Sequence, residues 1–455
     1  MMEPVPPMLP QLEIHGPHGK LPAFARDLRN PEAHTIDALE EMRFEVESTS
    51  QVHVWMSRGQ AEIFGSELST DRIYTFLKGS KVSIWSWTSC NLQIDGSPDV
   101  LYKTKESRVM ITYFNFHNCL EQHRDDAVRN DTGGPRVLVV GGANSGRSTF
   151  CRILLNYAAR MRGEERRNPL FVDLDFSQPD LAVPGTLACC QFDRPADPMY
   201  DYYFHRKYVL PYGEISPEDN VELLHTQIKR LGDIVEKRLE KDKRARQSGL
   251  IINSFAWKPN SYQHIITIAK AFKVNFIVGL DINEKFFTQL REHPDKSALE
   301  PDLQLVSMPK SGGVAERSHD ERKAHREGRV RNQIYGHPLR SPKQIPFYHE
   351  VDFSEIMLCK LGNKLINKDL LPANVDLSAV KAAAVPIQPS KYQVNHVLYL
   401  TNVDSPDKVI TEGCVIGYLL VKKVDMQTKK IAFSTNFETL PKKVLLVTSI
   451  QYKDD

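Results

Sequence analysis

The residues best suited to phosphate chemistry lie in one glycine-rich stretch of the sequence. Gly141-Gly-Ala-Asn-Ser-Gly-Arg-Ser148 has the glycine and hydroxyl spacing of a phosphate-binding loop. In such a loop, backbone N–H groups surround the phosphate and the helix that follows adds its dipole. Ser148 stands where a hydroxyl that binds Mg²⁺ is expected. An ordinary glycine-rich turn of an α/β domain is the alternative.

Arg147 occupies the loop position at which lysine is expected. A lysine ammonium is a compact point charge, whereas the arginine guanidinium is planar, larger and forked, so the exchange is not conservative. The loop backbone supports nucleotide binding by itself, but phosphoryl transfer requires a well-placed charge. The sequence therefore separates binding from catalysis.

An acidic residue follows a buried apolar run at Leu170–Phe176. In phosphate-loop enzymes, an aspartate at a strand end holds Mg²⁺ or its water, or acts as a base. Asp175 is the candidate for this role, and Asp173, two residues earlier on the same face, is the weaker rival. A helix cap or a turn acid is the alternative for Asp175.

Arg322 and Arg326 are four residues apart in an arginine-rich segment, so on a helix they share one face. Such a pair could clamp a transferring phosphate or a nucleic-acid backbone. Acidic residues alternate with these arginines, and a surface helix held by salt bridges is the competing interpretation. The acids are Glu316, Asp320, Glu321 and Glu327.

Strands and helices alternate around these residues from about residue 136 to 310. Alternation of this kind predicts a doubly wound parallel sheet, whose ligands bind at the carboxyl ends of the strands. The first strand precedes Gly141 and a helix covers Ser148–Arg160. The further predicted strands are Leu170–Phe176, Gly249–Asn253, Val274–Leu280 and Leu303–Met308, and the further helices are Val221–Arg246 and Gln263–Phe272.

The segments on either side have a different pattern. Residues 1–36 are rich in Pro, Gly and His and are predicted to form a mobile arm. Period-two alternation then predicts a small antiparallel sandwich or barrel, before a charged helix at Cys119–Asn130. A third, mostly β domain is predicted from Ile356 onward. The sandwich strands are Arg43–Glu47, Val52–Met56, Ala61–Phe64, Ile73–Phe76, Val82–Trp85, Leu92–Ile94 and Val109–Tyr113.

The composition excludes several classes of protein. The net charge of +2 gives no global sign of nucleic-acid binding. The seven cysteines are scattered and form no C-x-x-C pair, which argues against a disulfide framework or a zinc site and favours a reducing compartment. No apolar run is long enough to span a bilayer, and no secretory signal opens the chain. We expect a cytosolic or nuclear protein without a membrane partner.

Ordered strings through nearly the whole chain resemble one family, the ATP-binding subunit of the pre-mRNA 3′-end cleavage factor, whose relatives include RNA 5′-hydroxyl kinases. The resemblance covers the phosphate loop and a set of flanking strings. These strings are Glu41–Glu47, Ala61–Leu68, Gly79–Val82, Gly134–Val137, Cys151–Ala158, Pro184–Thr186, Arg194–Asp197, Pro309–Val314, Glu316–Arg317 and Tyr335–Gly336.

The resemblance implies three domains after the arm. They are an N-terminal β-sandwich at residues 37–125, a central kinase-like phosphate-loop domain at 126–336 and a C-terminal α/β domain, mostly β, at 337–455. It also implies that ATP lies between the first two, with Glu41 and Lys81 contacting it from the sandwich. Asp175 matches the strand-end aspartate of the family, and Arg322 with Arg326 matches its lid arginines. The residues implied to hold the phosphates are Asn144, Ser145, Gly146, Arg147, Ser148 and Thr149.

This chain departs from the active kinases of that family in three catalytic motifs. Arg147 replaces the loop lysine. Ser177-Gln-Pro179 stands where active relatives carry Gly-Gln-Gly. Ser216–Asn220 only loosely matches their Thr-Pro-Gly clasp. Changes in all three motifs indicate a kinase fold that still binds ATP but has lost or weakened catalysis.

We therefore expect a nuclear, ATP-binding scaffold subunit of the mRNA cleavage and polyadenylation factor. Its partners would be the other subunits, above all the one that binds the RNA polymerase II tail, with possible contact to RNA. An active RNA 5′-hydroxyl kinase is the second hypothesis, in which Asp175 is base or Mg²⁺ organiser, Ser148 holds Mg²⁺, and Arg147, Arg322 and Arg326 carry the transition-state charge. An NTPase that switches partners is the third.

Overall fold

The computed structural model describes residues 30–49, 51–105, 108–161, 166–200, 202, 207–258, 261–294, 300–339, 344–362, 382–441 and 443–454. Most of the predicted arm, residues 1–29, lies outside this part. The prediction of a mobile arm was wrong for its last residues. Glu32–Ile36 is strand β1, which pairs with residues 90–94, and Ile36 is fully buried.

The N-terminal domain is the expected sandwich of two antiparallel sheets. One sheet has the order β1-β8-β3-β6 and the other β5-β4-β7-β2-β9. Alternating side chains of both sheets meet in one core that contains Phe44, Val54 and Ile84. The strands after β1 are β2 Glu40–Glu45, β3 Gln51–Gly59, β4 Glu62–Ile63, β5 Ser66–Glu67, β6 Ile73–Leu77, β7 Lys81–Ser86, β8 Cys90–Asp95 and β9 Val100–Thr104.

A helix connects the sandwich to the central domain. Helix α1, Val109–Asn130, includes the run Val109–Tyr113, so the prediction of a strand there was wrong. A short, mostly apolar run fits either structure, and here Met110, Tyr113 and Phe116 are buried at helical spacing in the central core.

The central sheet has seven strands in the order β13-β12-β11-β14-β10-β15-β16. The five strands from β11 to β16 in this order are parallel, which confirms the predicted sheet where the candidate site lies. The two further strands pair antiparallel and make the sheet mixed. The strands are β10 Arg136–Gly141, β11 Leu170–Asp173, β12 Thr186–Gln191, β13 Lys207–Pro211, β14 Leu250–Asn253, β15 Phe276–Leu280 and β16 Gln304–Met308.

Helices cover this sheet in two groups, with α1 packed on α2 and α3 packed on α5. The predicted helix at 221–246 is two helices, because Asp242 ends the first and caps the second through the Ala245 N–H. The helices are α2 Arg147–Arg160, α3 Val221–Lys241, α4 Lys243–Ser248, α5 Tyr262–Phe272, α6 Glu284–Glu292 and α7 His319–Tyr335.

The C-terminal domain is one mixed seven-stranded sheet in the order β17-β22-β21-β20-β23-β18-β19. Residues of β20 alternate between two cores: Val397 and Tyr399 join the core of the central domain, whereas Leu398 and Leu400 belong to a separate core on the opposite face. The C-terminal sheet therefore packs on the central domain through one of its faces. Its strands are β17 Phe347–Asp352, β18 Met357–Leu361, β19 Ala384–Pro386, β20 His396–Thr401, β21 Val415–Asp425, β22 Lys430–Thr435 and β23 Val444–Gln451.

No helix in the described part of the chain is long and apolar enough to cross a bilayer.

Candidate functional site

The glycine-rich stretch forms a turn between β10 and α2, as the sequence predicted. Gly146 caps α2 with φ +88°, and a Cβ at this position would lie 2.8 Å from Val314 Cγ2, so both the backbone angle and the space require glycine. The first N–H groups of a helix have no intrahelical acceptor. The end of α2 that faces the loop is therefore suited to bind an anion such as a phosphate.

The Arg147 guanidinium lies inside the protein and is surrounded by oxygen atoms. Its side chain is 7% exposed. Nε donates to the Ser254 carbonyl at 3.1 Å, and Nη1 donates to the carbonyls of Gly141, at 2.7 Å, and Gly142. Nη2 forms an ion pair with Asp175 Oδ2 at 3.1 Å. All three nitrogens of the guanidinium are thus engaged with the protein.

Asp175 lies two residues beyond β11 and is 5% exposed. Its Oδ2 pairs with Arg147, and its Oδ1 accepts from the Ser177 hydroxyl and from the Gln178 N–H, both at 3.1 Å. The structure thus brings together two of the predicted catalytic residues as an ion pair. It also gives Asp175 the turn-acid contacts of the alternative interpretation, so neither oxygen is free to act as a base in this arrangement.

Ser148 is linked to the other aspartate. Asn253, the last residue of β14, places Nδ2 at 3.2 Å from Ser148 Oγ and at 3.2 Å from Asp173 Oδ1. Asn253 Oδ1 is buried without a hydrogen-bond partner among the described residues. Sequence reasoning missed Asn253, although a polar residue that ends a buried strand next to β10 was a usable signal.

The Asp173 carboxylate is held by backbone N–H groups of the loop that follows β11. Its Oδ2 accepts the N–H groups of Asp180, at 2.6 Å, and Leu181, at 3.1 Å. Burial and the carboxylates of Asp180 and Asp175 raise the pKa of Asp173, and the N–H groups that it accepts oppose that rise. The carboxylate linked to Ser148 is therefore Asp173 rather than Asp175. The assignment of Mg²⁺ to Ser148 and Asp175 stays a prediction, and the described residues contain no cluster of three or more metal-binding side chains.

The two sandwich residues expected to touch the nucleotide lie on neighbouring strands, β2 and β7. Glu41 Oε2 pairs with Arg43 Nη2 at 2.7 Å, and Glu41 Oε1 accepts from the Ser83 hydroxyl. Lys81 Nζ lies 2.7 Å from Glu45 Oε2 and 3.2 Å from Glu321 Oε1. Both residues have protein partners that a nucleotide would have to share or displace.

The segment Pro309–Val314 fills the space between the sandwich and the phosphate loop. Tyr113 donates its hydroxyl to the Pro309 carbonyl at 2.8 Å. A Cβ at Gly313 would lie 2.6 Å from Arg43 Nε, so a larger residue here would displace the Arg43 side chain, and Val314 packs on Gly146. The sequence identified this segment only as a matching string and missed its position at the site.

Helix α7 carries the predicted arginine pair. Ser318 and Glu321 form a capping box at its start, and the helix ends at Tyr335. Burial lowers the pKa of Arg326, Glu327 opposes this change, and the neighbouring positive charge of Arg322 adds to it. Within the described part of the chain, neither arginine forms an ion pair. The competing interpretation, a salt-bridged helix, is confirmed for Lys323–Glu327 within the helix, at 3.9 Å, and Glu321 and Arg329 pair with other elements, but it does not apply to the arginine pair.

The segment Ser216–Asn220 leads into the start of helix α3. Pro217–Asp219 is a single 3₁₀ turn, and the Asn220 side chain accepts the Leu223 N–H and caps α3. Glu218 pairs with Lys258 at 2.9 Å. The segment therefore has the contacts of a helix start.

The arrangement of these residues is better suited to bind the phosphates of a nucleotide than to catalyse phosphoryl transfer. The loop backbone, the start of α2 and the Ser148 hydroxyl are positioned for phosphate oxygens. The loop cation and the strand-end carboxylate instead neutralise each other.

Three family models match the chain. Residues 35–127 match the N-terminal β-sandwich domain of polyadenylation factor, residues 141–336 match the mRNA cleavage and polyadenylation factor CLP1 P-loop, and residues 345–454 match the pre-mRNA cleavage complex II protein Clp1.

Full-length relatives are similar over almost all of the chain. The polyribonucleotide 5′-hydroxyl-kinase Clp1 of Gallus gallus is 36% identical over 416 residues, which are 91% of this chain and 95% of the relative. The protein of the same name from Homo sapiens is 35% identical over 416 residues, with the same coverage. The protein CLP1 homolog of Nematostella vectensis is 36% identical over 419 residues, which are 91% of this chain and 95% of that protein.

Two solved structures share the fold. A wild-type Clp1p–Pcf11p complex matches with a TM-score of 0.81 at 21% identity, over 94% of this chain and 99% of that one. The second concerns an extended Pcf11p–Clp1p interface and the structural basis for ATP loss in a glycine-to-arginine point mutant. It matches with a TM-score of 0.80 at 21% identity, over 93% and 99% of the two chains.

Proposed function

The chain belongs to the Clp1 family of pre-mRNA cleavage-complex proteins, and from this premise we propose that it is an ATP-binding scaffold subunit of the mRNA cleavage and polyadenylation factor, without significant kinase turnover. In this function it supports endonucleolytic cleavage of pre-mRNA as a structural component. The proposal places the protein in the nucleus.

The buried Arg147–Asp175 ion pair is the observation that carries this proposal. Phosphoryl transfer depends on a cation placed on the phosphates and on a group that positions or deprotonates the nucleophile. Here the cation donates to carbonyl oxygens of the loop itself and to Asp175. A charge already neutralised in the ground state contributes less to the transition state than a free one.

Nucleotide binding draws on the groups that remain. The backbone of Asn144–Thr149 would hold the phosphates and the Ser148 hydroxyl would hold Mg²⁺, whose role is to neutralise phosphate charge. From the sandwich side, Glu41 and Lys81 would contact the rest of the nucleotide once their present partners share them. Bound ATP would then stabilise the arrangement of the domains by mass action.

The partner in this proposal is the cleavage-factor subunit that binds the polymerase tail. Support comes from the two solved structures of the same fold, one a Clp1p–Pcf11p complex and the other concerned with an extended Pcf11p–Clp1p interface. One face of the C-terminal sheet joins the core of the central domain, so these two domains of the scaffold share one core.

A second candidate is an RNA 5′-hydroxyl kinase, and one observation favours it. Arg322 and Arg326 form no ion pair in the described part of the chain, although the Glu327 charge acts on Arg326. They could stabilise charge on a transferring phosphate. In that case Asp175 would have to leave Arg147 to serve as base or Mg²⁺ organiser.

The test is the fate of the bound nucleotide. The full chain is loaded with Mg²⁺-ATP, freed of excess nucleotide, incubated and denatured, and the released nucleotide is identified by ion exchange. We expect stoichiometric, intact ATP, and retained capture of a tail-binding subunit by the loaded protein. Release as ADP would indicate an NTPase and contradict the proposal. Absence of any nucleotide at saturating ATP would also contradict it.

A further inference from the structure

Helix α7 is held by all three domains. At its start, Glu321 pairs with Lys81 of the sandwich at 3.2 Å. On the central domain, the Arg322 carbonyl accepts from Gln178 at 3.2 Å, and Arg329 pairs with Asp180 at 3.2 Å. Gln178 and Asp180 belong to the same loop as Asp175, so this part of α7 lies over the candidate phosphate site.

The end of α7 is bound to the C-terminal domain. The Tyr335 hydroxyl donates to Asp454 Oδ2 at 2.7 Å and accepts from Lys422 Nζ at 3.2 Å, and Lys422 also pairs with Asp454. Asn436 of the same domain donates to the Gln333 carbonyl. These contacts use residues of β21 and residues that follow β22 and β23.

The helix between these contacts is a single continuous element. Its capping box fixes the first turn, and Val330 and Ile334 are 1% exposed in the central core. Seventeen residues give a length of about 25 Å. The backbone from the Asp180 contact to Tyr335 is one continuous helix, which includes Gly328.

We propose that α7 couples occupancy of the phosphate site to the order of the C-terminal strands that contact it. The unpaired Arg322 and Arg326 would bind phosphate oxygens and fix α7 in its present place, and a fixed α7 strengthens the contacts at Tyr335. The coupling is reciprocal, because contacts that hold the end of α7 also favour the bound state at its start. The nucleotide part of this proposal rests on the proposed function.

The first test uses hydrogen–deuterium exchange on the full chain with Mg²⁺-ATP as the probe. ATP should slow exchange of the β21 and β23 amides by about fivefold or more, and β3, in the sandwich sheet that carries neither Glu41 nor Lys81, serves as the internal control. In Tyr335→Phe at saturating ATP this protection should be lost, and by the same reciprocity ATP affinity measured by calorimetry should fall by up to about fivefold. Tyr348→Phe, an exposed tyrosine of the same domain, should behave as wild type. Full protection in Tyr335→Phe would overturn the proposal, as would its absence in ATP-bound wild type.

The second test needs no nucleotide and so separates this inference from the proposed function. A double-mutant cycle combines Asp180→Asn, which removes the Arg329 ion pair, with Tyr335→Phe, and follows β21 and β23 exchange in the nucleotide-free protein. If the two sites are independent, the change in exchange rate in the double variant equals the product of the two single changes to within about twofold. We expect the double variant to deviate from that product by more than twofold. A simple product would exclude coupling through α7, even if ATP binds as proposed.

Discussion

The arginines around the phosphate loop have two different environments, which differ in burial and in ion pairing. Arg147 is buried, and each of its three nitrogens donates to an oxygen of the protein. Arg322 and Arg326, on α7, lie near each other and form no ion pair in the described part of the chain. The difference teaches that the number of cations near a phosphate site does not measure its catalytic strength. A cation that is already paired with protein oxygens stabilises the fold and has less charge to offer a phosphate.

The largest expected effect is on the buried pair. Asp175→Ala leaves the Arg147 charge uncompensated in a site where both side chains are less than a tenth exposed. Loss of one partner of such a pair costs about 3–5 kcal/mol of folding free energy. Urea unfolding measures this loss. As a control, Asp193→Ala breaks an exposed ion pair with Arg194 and should cost less than about 1 kcal/mol. Equal losses would mean that the Arg147–Asp175 pair is not buried in solution.

The second effect concerns nucleotide affinity. Arg147→Ala should weaken ATP binding more than Arg147→Lys does, because alanine leaves the Asp175 carboxylate without a cation beside the phosphate loop. We expect a difference of about tenfold in Kd, equivalent to about 1.4 kcal/mol. Calorimetry on folded protein, checked by circular dichroism, provides the comparison. Equal affinities in the two variants would show that Arg147 has no influence on the bound nucleotide.

A smaller effect is expected where the charges are unpaired. Arg322→Ala and Arg326→Ala break no ion pair in the described part of the chain, so each should change the free energy of unfolding by less than about 0.5 kcal/mol. The same variants should lower ATP affinity if the two side chains contact phosphate. Destabilisation of the size expected for Asp175→Ala would remove the contrast between the two groups of arginines.

The smallest effect belongs to the contact between the sandwich and α7. Glu321→Gln keeps the capping box, in which glutamine also functions, and removes the charge paired with Lys81. Glu321 is 40% exposed, so the pair is screened by solvent and its loss should cost less than about 1 kcal/mol in thermal unfolding. Loss of the helix cap in Ser318→Ala should cost more, and the opposite order would mean that the Lys81 contact outweighs the cap.

The sequence predicted what periodicity and glycine spacing encode. The turn at Gly141–Ser148, the parallel strands beside it and the sandwich alternation are local patterns, and each is present in the structure. Val109–Tyr113 was mispredicted because a short, mostly apolar run fits a strand or a helix equally well, and burial on the central core decided between them.

The candidate site was predictable in residue types but not in the direction of its side chains. Arg147 and Asp175 were both identified, yet nothing in the sequence shows that they pair with each other across 28 positions. The link from Ser148 through Asn253 to Asp173 depends on the carboxyl ends of neighbouring strands lying side by side. Such contacts follow from strand order, which a single sequence does not specify.

The measurement that tests the central claim most directly is transfer of labelled γ-phosphate from ATP to a short 5′-hydroxyl RNA, with protein in excess over ATP and wild type beside Arg147→Lys. The account predicts no transfer by wild type while ATP stays bound. Gain of transfer in Arg147→Lys would assign the loss to the loop arginine alone. Rapid wild-type transfer that disappears in Asp175→Asn would contradict the account and make this protein an RNA kinase.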